Sequence, residues 1–492
     1  MDLAGIISLL LILIILSLIF STWNTLYRRC NLPPGPTPLP IVGNILQIKR
    51  GEMVKSLMKF RNKYGSIYTI YFGHHRIVVL CGYDAIKEAL IDRAEEFSGR
   101  GRQPAIDQFV DNHGVVFTNG SRWRDLRRFS ITVLRNFGMG KKTIEERIQE
   151  EARFLIAELR SQKEQFIDPT KLLLQCVSNI ICSIVFGDRF EYSNDSFQNL
   201  LTMFGAVFMD MSSTWGQLLE MLPSVMNYVP GPHKRINKSL LKLTDFISER
   251  IKMNEESFDP NSPRDYIDCF LIKQQEEKDN PNFDRKNMIM TILNLFFGGT
   301  ETVSSTLRHG LLILMRYPEI QAKLHAEIDH VIGENRITNI EDRNNMPYMN
   351  AVIHEIQRFC DILPLNLPHT TTKEVQLKGY TLPKGTDIYP LLCSVLQDPT
   401  KLDCPSKFDP NNFLDDKGCF RKNDAYMPFS AGKRLCLGEG LARMELFIFL
   451  TTILQNFRLS PEKELTDEDI KPLMTGFANI PKFFRLSFIP RI

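Results

Sequence analysis

The chain has 492 residues, of which 43% are hydrophobic and 24% charged, so it can bury a large core and enclose a cofactor. Its 60 basic and 57 acidic residues leave a net charge of only +3, which excludes the global basic field that nucleic-acid binding needs. The ten cysteines include no CxxC pair, so neither a zinc site nor a small disulfide scaffold is indicated. We expect a globular protein whose thiols lie in a reducing compartment and which has no nucleic-acid partner.

Residues 1–27 are predicted to form an N-terminal transmembrane helix. No charged side chain occurs from Leu3 to Leu26, and a helix of that length can cross about 30 Å of hydrocarbon. A cleaved secretory signal is the alternative. Asp2 stands where a signal carries Lys or Arg, and no clear small-residue cleavage site follows, so we favour the anchor.

The anchor is followed by a basic and proline-rich segment, 28–44, that is predicted to link it to a catalytic body, 45–492. Arg28 and Arg29 come directly after the apolar stretch. Because positive residues stay on the cytosolic side of a membrane, we expect the body to lie in the cytosol.

The body is predicted to be mainly α-helical with small β-sheet regions, an α+β fold. Short runs rich in Ile, Val and Tyr indicate strands, and apolar residues at helical spacing indicate helices. The predicted strands include 66–72, 76–80, 375–378 and 387–392, and the predicted helices include 142–160, 239–252, 285–316, 318–332 and 348–360. The segment 285–316 is long enough to cross the whole domain, so we expect a central helix there.

The most specific pattern surrounds Cys436. Residues 429–438 read Phe-Ser-Ala-Gly-Lys-Arg-Leu-Cys-Leu-Gly and match FxxGxRxCxG at every fixed position. A single thiolate can ligate haem iron and donate the electron density that favours O–O cleavage. The predicted helix 439–455 begins just after Cys436, where its first N–H groups can stabilise the sulfur anion. This loop resembles the haem-binding signature of the cytochrome P450 family, and the resemblance extends over essentially the entire chain.

The resemblance is closest to the vertebrate microsomal family 2 and implies the cytochrome P450 fold, haem b and monooxygenase activity. Such an enzyme inserts one atom of O2 into small lipophilic substrates, here xenobiotics with fatty acids or steroids as further candidates. No GxGxxG fingerprint follows a strand, so electrons are expected from NADPH through a separate NADPH-cytochrome P450 reductase, with cytochrome b5 as a further candidate donor. The implied location is the endoplasmic reticulum membrane, with the catalytic domain on its cytosolic side.

Five side chains besides Cys436 are expected to hold the haem. Arg434 is placed to meet a propionate, and Trp123 and Arg127 of a WxxxR pattern lie one helical turn apart, where they can meet the same group. By resemblance, Arg100 and His369 bind propionates too. Neighbouring residues would make the cysteine side basic and suited to an acidic electron donor, namely Arg122, Arg124, Arg128, Arg135, Lys142, Lys433 and Arg443.

The segment 298–302, Gly-Gly-Thr-Glu-Thr, resembles the oxygen-activation motif of the family. Thr302 is expected to hydrogen-bond dioxygen, and Glu301 is expected to connect to a proton source through water. Taken alone, the motif also fits a glycine-softened helix in which the hydroxyl of Thr302 bonds back to the previous turn.

Glu355 and Arg358 match ExxR, whose spacing places a carboxylate and a guanidinium on one helix face. In the family this pair is a buried structural clamp behind the haem, usually completed by an arginine. Asn412 occupies that third place here and offers only a neutral hydrogen bond.

The resemblance also implies a substrate pocket that is mostly apolar, with one amide able to orient a ligand. Its predicted residues are Phe109, Val116, Phe117, Phe208, Asn294, Phe297, Leu363, Leu367 and Phe477. Two other functions remain open at this point: a haem-thiolate isomerase that needs no external electrons, and a non-catalytic, membrane-tethered haem or lipid-binding protein.

Overall fold

Most of the protein is helical. The computed structural model describes residues 3–27, 31–137 and 142–491. Its α-helices are α1 (Leu3–Tyr27), α2 (Met53–Tyr64), α3 (Tyr83–Lys87), α4 (Pro104–Val110), α5 (Gly120–Asn136), α6 (Lys142–Ser161), α7 (Thr170–Val185), α8 (Asp195–Ser212), α9 (Thr214–Met221), α10 (Pro223–Met226), α11 (Lys234–Glu256), α12 (Tyr266–Glu276), α13 (Arg285–Arg316), α14 (Pro318–Val331), α15 (Pro347–Cys360), α16 (Cys393–Leu396) and α17 (Glu439–Asn456). The prediction of a mainly α-helical fold with small sheets is confirmed.

The strands are short and belong to one larger sheet and three pairs within the described residues. They are β1 (Ile67–Phe72), β2 (His75–Cys81), β3 (Gly99–Arg100), β4 (His369–Thr370), β5 (Val375–Leu377), β6 (Tyr380–Leu382), β7 (Asp387–Leu391), β8 (Phe457–Pro461), β9 (Met474–Thr475), β10 (Asn479–Ile480) and β11 (Leu486–Pro490). The larger sheet has the order β1-β2-β7-β4-β3, with β2 and β7 parallel. Alternate residues of β2 enter two separate apolar clusters, Val78 on one face and Val79 on the other.

The central helix α13 has the bounds that the sequence predicts. It begins after Asp284, whose carboxylate accepts a hydrogen bond from the N–H of Asn287 at 2.6 Å. It ends at Arg316, since Pro318 disfavours the helical conformation for the residue before it. Because α13 packs on α7, α15 and α17, it passes through the interior beside the loop that carries Cys436.

The proline-rich segment lies against the body. The carbonyl of Pro34 accepts a hydrogen bond from the N–H of Thr69 at 2.8 Å, and the carbonyl of Pro33 accepts one from the Thr69 hydroxyl at 2.9 Å. A Cβ atom on Gly35 would lie 1.9 Å from the Thr69 carbonyl oxygen, so this close approach requires glycine. From Pro33 onward, the segment is therefore bound to β1 and is not a free connection to the body.

The N-terminal helix α1 exposes most of its Leu and Ile side chains between residues 6 and 20. Across the part of the chain that the structure describes, no helix meets both the length and the apolarity needed to cross a membrane. Asp2, Arg28 and Arg29, on which the predicted topology depends, lie outside the described residues.

Candidate active site

One interior cavity brings most of the predicted site residues together. Its wall includes Thr302 of α13 and Cys436 from the loop before α17. It also includes four of the predicted haem-binding residues, Arg100, Trp123, Arg127 and Arg434, and all nine predicted substrate residues, Phe109, Val116, Phe117, Phe208, Asn294, Phe297, Leu363, Leu367 and Phe477. Four other predicted residues do not belong to the wall, namely Glu301, His369, Glu355 and Arg358.

The cysteine loop has little freedom to take another shape. Ser430 and Gly432 both adopt positive φ, 63° and 72°. A Cβ atom on Gly432 would lie 1.7 Å from the carbonyl oxygen of Leu90, so no larger residue fits without a backbone shift. The N–H of Cys436 donates to the carbonyl of Phe429 at 3.0 Å, which closes the loop just before α17 begins.

The thiol of Cys436 is enclosed by protein and still has an accessible surface, because it faces the cavity. Burial raises the pKa of Cys436, whereas the N–H groups of Gly438 and Glu439 and the guanidinium of Arg127 lower it. These N–H groups belong to the start of α17, so the helix N-terminus stabilises negative charge on sulfur. A cation bound to the sulfur would favour the thiolate further.

Three guanidinium groups cluster beside this loop, and no carboxylate of the described residues pairs with any of them. Arg434 donates to the carbonyls of Ser98 and Thr118 at 2.8 and 2.7 Å, and its guanidinium lies 3.8 Å from the ring centre of Trp123. Burial, followed by repulsion from Arg100 and Arg127, lowers the pKa of Arg434 to about 7. Burial and Arg127 likewise lower the pKa of Arg100 to about 9. The cluster therefore lacks the negative charge that would compensate it.

The cavity fits haem b. Two propionates would compensate the guanidinium groups of Arg100, Arg127 and Arg434, for which carboxylates are strong bidentate partners. The indole N–H of Trp123 is buried and has no partner among the described residues, so it is free to donate to the same anion. Cys436 lies in the wall of the same cavity, where its sulfur would bind the haem iron.

His369 stays a predicted propionate ligand. It is buried behind the cavity wall on β4, opposite Arg100 of β3, and its Nδ1–H donates to the carbonyl of Phe97 at 2.8 Å. Burial and the neighbouring Arg100 lower the pKa of His369 to about 3. Its Nε2 atom is buried and has no partner among the described residues, as is true of the indole nitrogen of Trp123.

Thr302 and Glu301 point in different directions. Thr302 lies in the cavity wall, and its hydroxyl donates to the carbonyl of Gly298 at 2.7 Å, as expected for a threonine that bonds back to the previous turn. Glu301 is buried outside the wall, where it accepts a hydrogen bond from Ser305 at 3.2 Å. Burial raises the pKa of Glu301 to about 7, while Arg308 and Ser305 act in the opposite direction.

The ExxR pair is buried and tightly bonded. The guanidinium of Arg358 contacts the carboxylate of Glu355 at 2.6 and 2.7 Å, and both side chains are almost fully buried. Nδ2 of Asn412 lies 3.3 and 3.4 Å from the two oxygens of Glu355. Asn412 thus occupies the third place with two long hydrogen bonds from an uncharged amide.

The remainder of the wall is apolar and aromatic. The rings of Phe208, Phe297 and Phe477 lie 5.4 to 6.1 Å apart, centre to centre. Asn294 accepts the N–H of Val116 at its Oδ1, at 3.0 Å, and none of the described residues pairs with its Nδ2. One amide therefore remains available to a ligand in an apolar surrounding.

Some wall residues were missed by the sequence reading. Thr306 of α13 lies four residues after Thr302, and the helical period alone places it on the same face. Ile106 lies three residues before Phe109 on α4 and follows by the same spacing. The sequence gives no such signal for Gln357, because its place in the wall depends on how α15 packs.

One interior cavity is bordered by a thiol and by a group of three arginines whose charge no carboxylate of the described residues compensates. These features define a haem-thiolate protein. The family profile described as Cytochrome P450 matches residues 33–488, and the chain belongs to this family. It is 53% identical to Cytochrome P450 2A6 of Homo sapiens over 484 residues, which cover 98% of both chains. It is 54% identical to Cytochrome P450 2A13 of Homo sapiens and 52% identical to Cytochrome P450 2G1 of Oryctolagus cuniculus, each over 96% of both chains. The resemblance to family 2 is confirmed, and the protein is a monooxygenase with haem b as its cofactor.

Proposed function

We propose that this protein inserts one atom of O2 into small lipophilic substrates, chiefly xenobiotics, with fatty acids and steroids as further candidates. The observation that carries the proposal is a single cavity that joins Cys436 and the arginine cluster to an aromatic wall. An apolar ligand entering it would be bound mainly by desolvation and shape. The unpartnered amide of Asn294 would orient the ligand through one hydrogen bond.

In this proposal, Cys436 ligates the iron, and Arg100, Arg127, Arg434 and Trp123 hold the propionates. When bound, a thiolate-ligated haem activates dioxygen so that one atom enters the substrate and the other leaves as water, with two electrons and two protons taken up. The remaining task of the protein is to position the substrate and to move protons.

Thr302 would present its hydroxyl oxygen to the cavity as the last proton relay. The hydroxyl donates its hydrogen to the carbonyl of Gly298. A proton that reaches the hydroxyl oxygen can therefore be passed on into the cavity, after which the hydrogen bond to Gly298 forms again. Glu301 would act as the reservoir. Its pKa of about 7 leaves the carboxyl able both to accept and to give a proton near neutral pH. It would have to turn from Ser305 toward the cavity, or act through water.

Electrons would come from NADPH through a membrane-bound reductase, with cytochrome b5 as a further candidate donor. Arg124, Arg128 and Arg135 of α5 are exposed and form no ion pair with the described residues, so they are available to an acidic partner. Lys433 and Arg443 differ, because Glu95 and Glu439 already pair with them at 2.7 and 2.8 Å. The proposed docking surface therefore centres on α5.

We also propose that α1 anchors the protein in the endoplasmic reticulum membrane with the catalytic domain in the cytosol. Apart from Ser8 and Ser17, the side chains of α1 between residues 6 and 20 are apolar and mostly exposed, which suits a lipid surrounding. The Arg28 and Arg29 pair in the sequence supports the cytosolic orientation.

The decisive experiment is the absorption spectrum of the reduced, purified protein under carbon monoxide. We expect the long-wavelength Soret band of a thiolate-ligated ferrous haem, and its loss in Cys436→His, whose imidazole could still bind iron. Reconstitution with reductase and NADPH should then yield a hydroxylated product from a small aromatic hydrocarbon. A short-wavelength band in the native protein would contradict the role of Cys436, and a normal band without reductase-dependent product would contradict the monooxygenase reaction.

A further inference from the structure

A carboxyl group outside the haem site joins α9 to α4. Oε1 of Glu220, on α9, accepts a hydrogen bond from Nε2 of Gln103 at 2.7 Å and another from the N–H of Ala105 at 3.1 Å. Gln103 immediately precedes α4, and Ala105 lies in its first turn. The second oxygen, Oε2, is buried and has no partner among the described residues. The start of α4 is thus held to α9 through one oxygen atom.

This contact adjoins the cavity on two sides. Helix α4 carries Ile106, Phe109 and Val110 into the cavity wall. Helix α9 follows α8 after a single residue, Ser213, and α8 carries Phe208 into the same wall. A movement of α4 away from α9 would therefore separate Phe109 from the wall formed by α8.

Charged and titratable groups of three neighbouring segments face Glu220 or one another. They are Arg102 before α4, Asp107 on α4, Asp387 and Tyr389 on β7, and His75 on β2, which contacts Asp387 at 2.6 Å. Burial, with a smaller contribution from Asp107, raises the pKa of Glu220 to about 8, although Gln103, Ala105 and Arg102 act in the opposite direction. Near neutral pH, the carboxyl is therefore largely neutral while the contact is closed.

We propose that Glu220 is a positioning residue for the substrate cavity: its contacts with Gln103 and Ala105 keep α4 closed on α9, and their release opens the wall at Phe109 to larger lipophilic molecules. The size selection rests on the proposed function of the cavity as a lipophilic substrate site. The closure of α4 on α9 does not rest on that function, so either proposal can fail without the other.

The closed and open states differ in proton binding. In the closed state the buried carboxyl favours its proton, whereas in the open state it meets water and returns toward an ordinary pKa of about 4.3. The closed state therefore binds the proton more tightly. The proton therefore stabilises the closed state relative to the open state. This stabilisation is fully present below about pH 4, is lost as the pH rises to about 8, and does not change at higher pH.

Hydrogen exchange of the α4 amides, 105–110, in the full-length holoprotein tests the closure. After correction for the intrinsic rate, we expect exchange in the native chain to rise by up to about tenfold per pH unit between pH 5 and pH 8. Glu220→Gln keeps a carbonyl oxygen for both hydrogen bonds and cannot ionise, so α4 should stay protected at every pH. Glu220→Ala should exchange fast at every pH.

Binding of naphthalene and pyrene, measured by equilibrium dialysis, tests the selection by size. We expect Glu220→Ala to raise the affinity for pyrene relative to naphthalene by about tenfold, since a larger fraction of the protein is open. Glu220→Gln should keep the native ratio at pH 6. If neither hydrocarbon binds the native protein, the lipophilic site itself fails, while the exchange result still decides the closure.

Two control variants separate Glu220 from its surroundings. His75→Gln removes the imidazole that contacts Asp387 beside this site, and the pH dependence of α4 exchange should persist. Asp210→Asn weakens a different interhelical contact, with Arg235 at 2.9 Å, and α4 exchange should match the native chain. The proposal would be overturned if α4 exchange in Glu220→Gln depended on pH as in the native chain. It would also be overturned if Glu220→Ala left both α4 exchange and the ratio of pyrene to naphthalene affinity unchanged.

Discussion

The two sides of the cavity are held in different ways. On the cysteine side, Arg434 donates to backbone carbonyls and Gly432 leaves no room for a side chain. On the aromatic side, Phe208, Phe297 and Phe477 meet through ring contacts alone. Hydrogen bonds and backbone contacts permit one geometry, whereas apolar packing tolerates adjustment. Substitutions on the first side should therefore disrupt the fold, and those on the second should change which ligand is bound.

The largest effect is expected from Arg358→Leu, behind the cysteine side. The substitution leaves the carboxylate of Glu355 buried without its partner and removes the donor to the carbonyls of Leu396 and Pro405. Breaking such a pair should lower the free energy of unfolding by about 3 to 5 kcal/mol, measured by urea denaturation with tryptophan fluorescence. Asn412→Ala, which removes only two long hydrogen bonds from an uncharged amide, should lower it by about 1 kcal/mol. Equal losses in the two variants would contradict the clamp.

Next in size is Gly432→Ala, which tests whether the loop geometry is unique. A side chain here combines a positive φ with a backbone clash at Leu90, so we expect a loss of about 2 to 4 kcal/mol and reduced haem content by absorbance. Gly440→Ala, at the start of α17, is the control. No atom lies within 4 Å of the added methyl group and Gly440 lies outside the cavity wall, so haem content should stay native. Similar losses in both variants would contradict a special requirement for glycine at 432.

Glu301→Gln should give a smaller effect that depends on pH. Because burial raises the pKa of Glu301 to about 7, the folded state binds its proton more tightly than the unfolded state, and stability falls as the pH rises from about 4.5 to 7. Glutamine does not titrate, so the variant should not lose stability as the pH rises in this range. The variant should gain about 2 kcal/mol over the native chain between pH 5 and pH 8, measured by denaturation at each pH. Ser305→Ala keeps the carboxyl and should retain the native pH dependence. A pH-independent difference would exclude Glu301 as the titrating group.

The smallest change in stability is expected on the aromatic side. Phe297→Leu should cost about 1 kcal/mol and change the ratio of kcat/KM for naphthalene and pyrene by about tenfold, measured by reductase-coupled product formation. Phe296→Leu is the control, since its ring stacks on Phe204 at 5.6 Å and lies outside the cavity wall. It should lower stability and leave the ratio unchanged. A changed ratio in Phe296→Leu alone would contradict the assigned wall.

The sequence predicted those parts of the fold whose signals are local. Helix α13 has a capping aspartate, helical spacing and a following proline, and its bounds were predicted without error. The parallel pairing of β2 with β7 joins residues 77–81 to 387–391, and no local pattern indicates it. Such pairing depends on how the intervening helices pack.

For the site, helical spacing indicates the directions of side chains on one helix. Adjacent residues on a helix point about 100° apart, so Thr302 lies in the cavity wall and Glu301 does not. The position of His369 was less accessible to prediction. Its orientation depends on the carbonyl of Phe97, which is distant in sequence and pairs with it only through the fold.

The arginine cluster has a consequence for biogenesis. Before a dianion arrives, three guanidinium groups repel one another inside a partly buried site. Any ligand that binds only the folded state stabilises it by mass action, and haem would also relieve this repulsion. The yield of folded protein should therefore follow the supply of haem during synthesis. In a cell that is short of haem, much of the newly made chain would remain exposed to proteolysis.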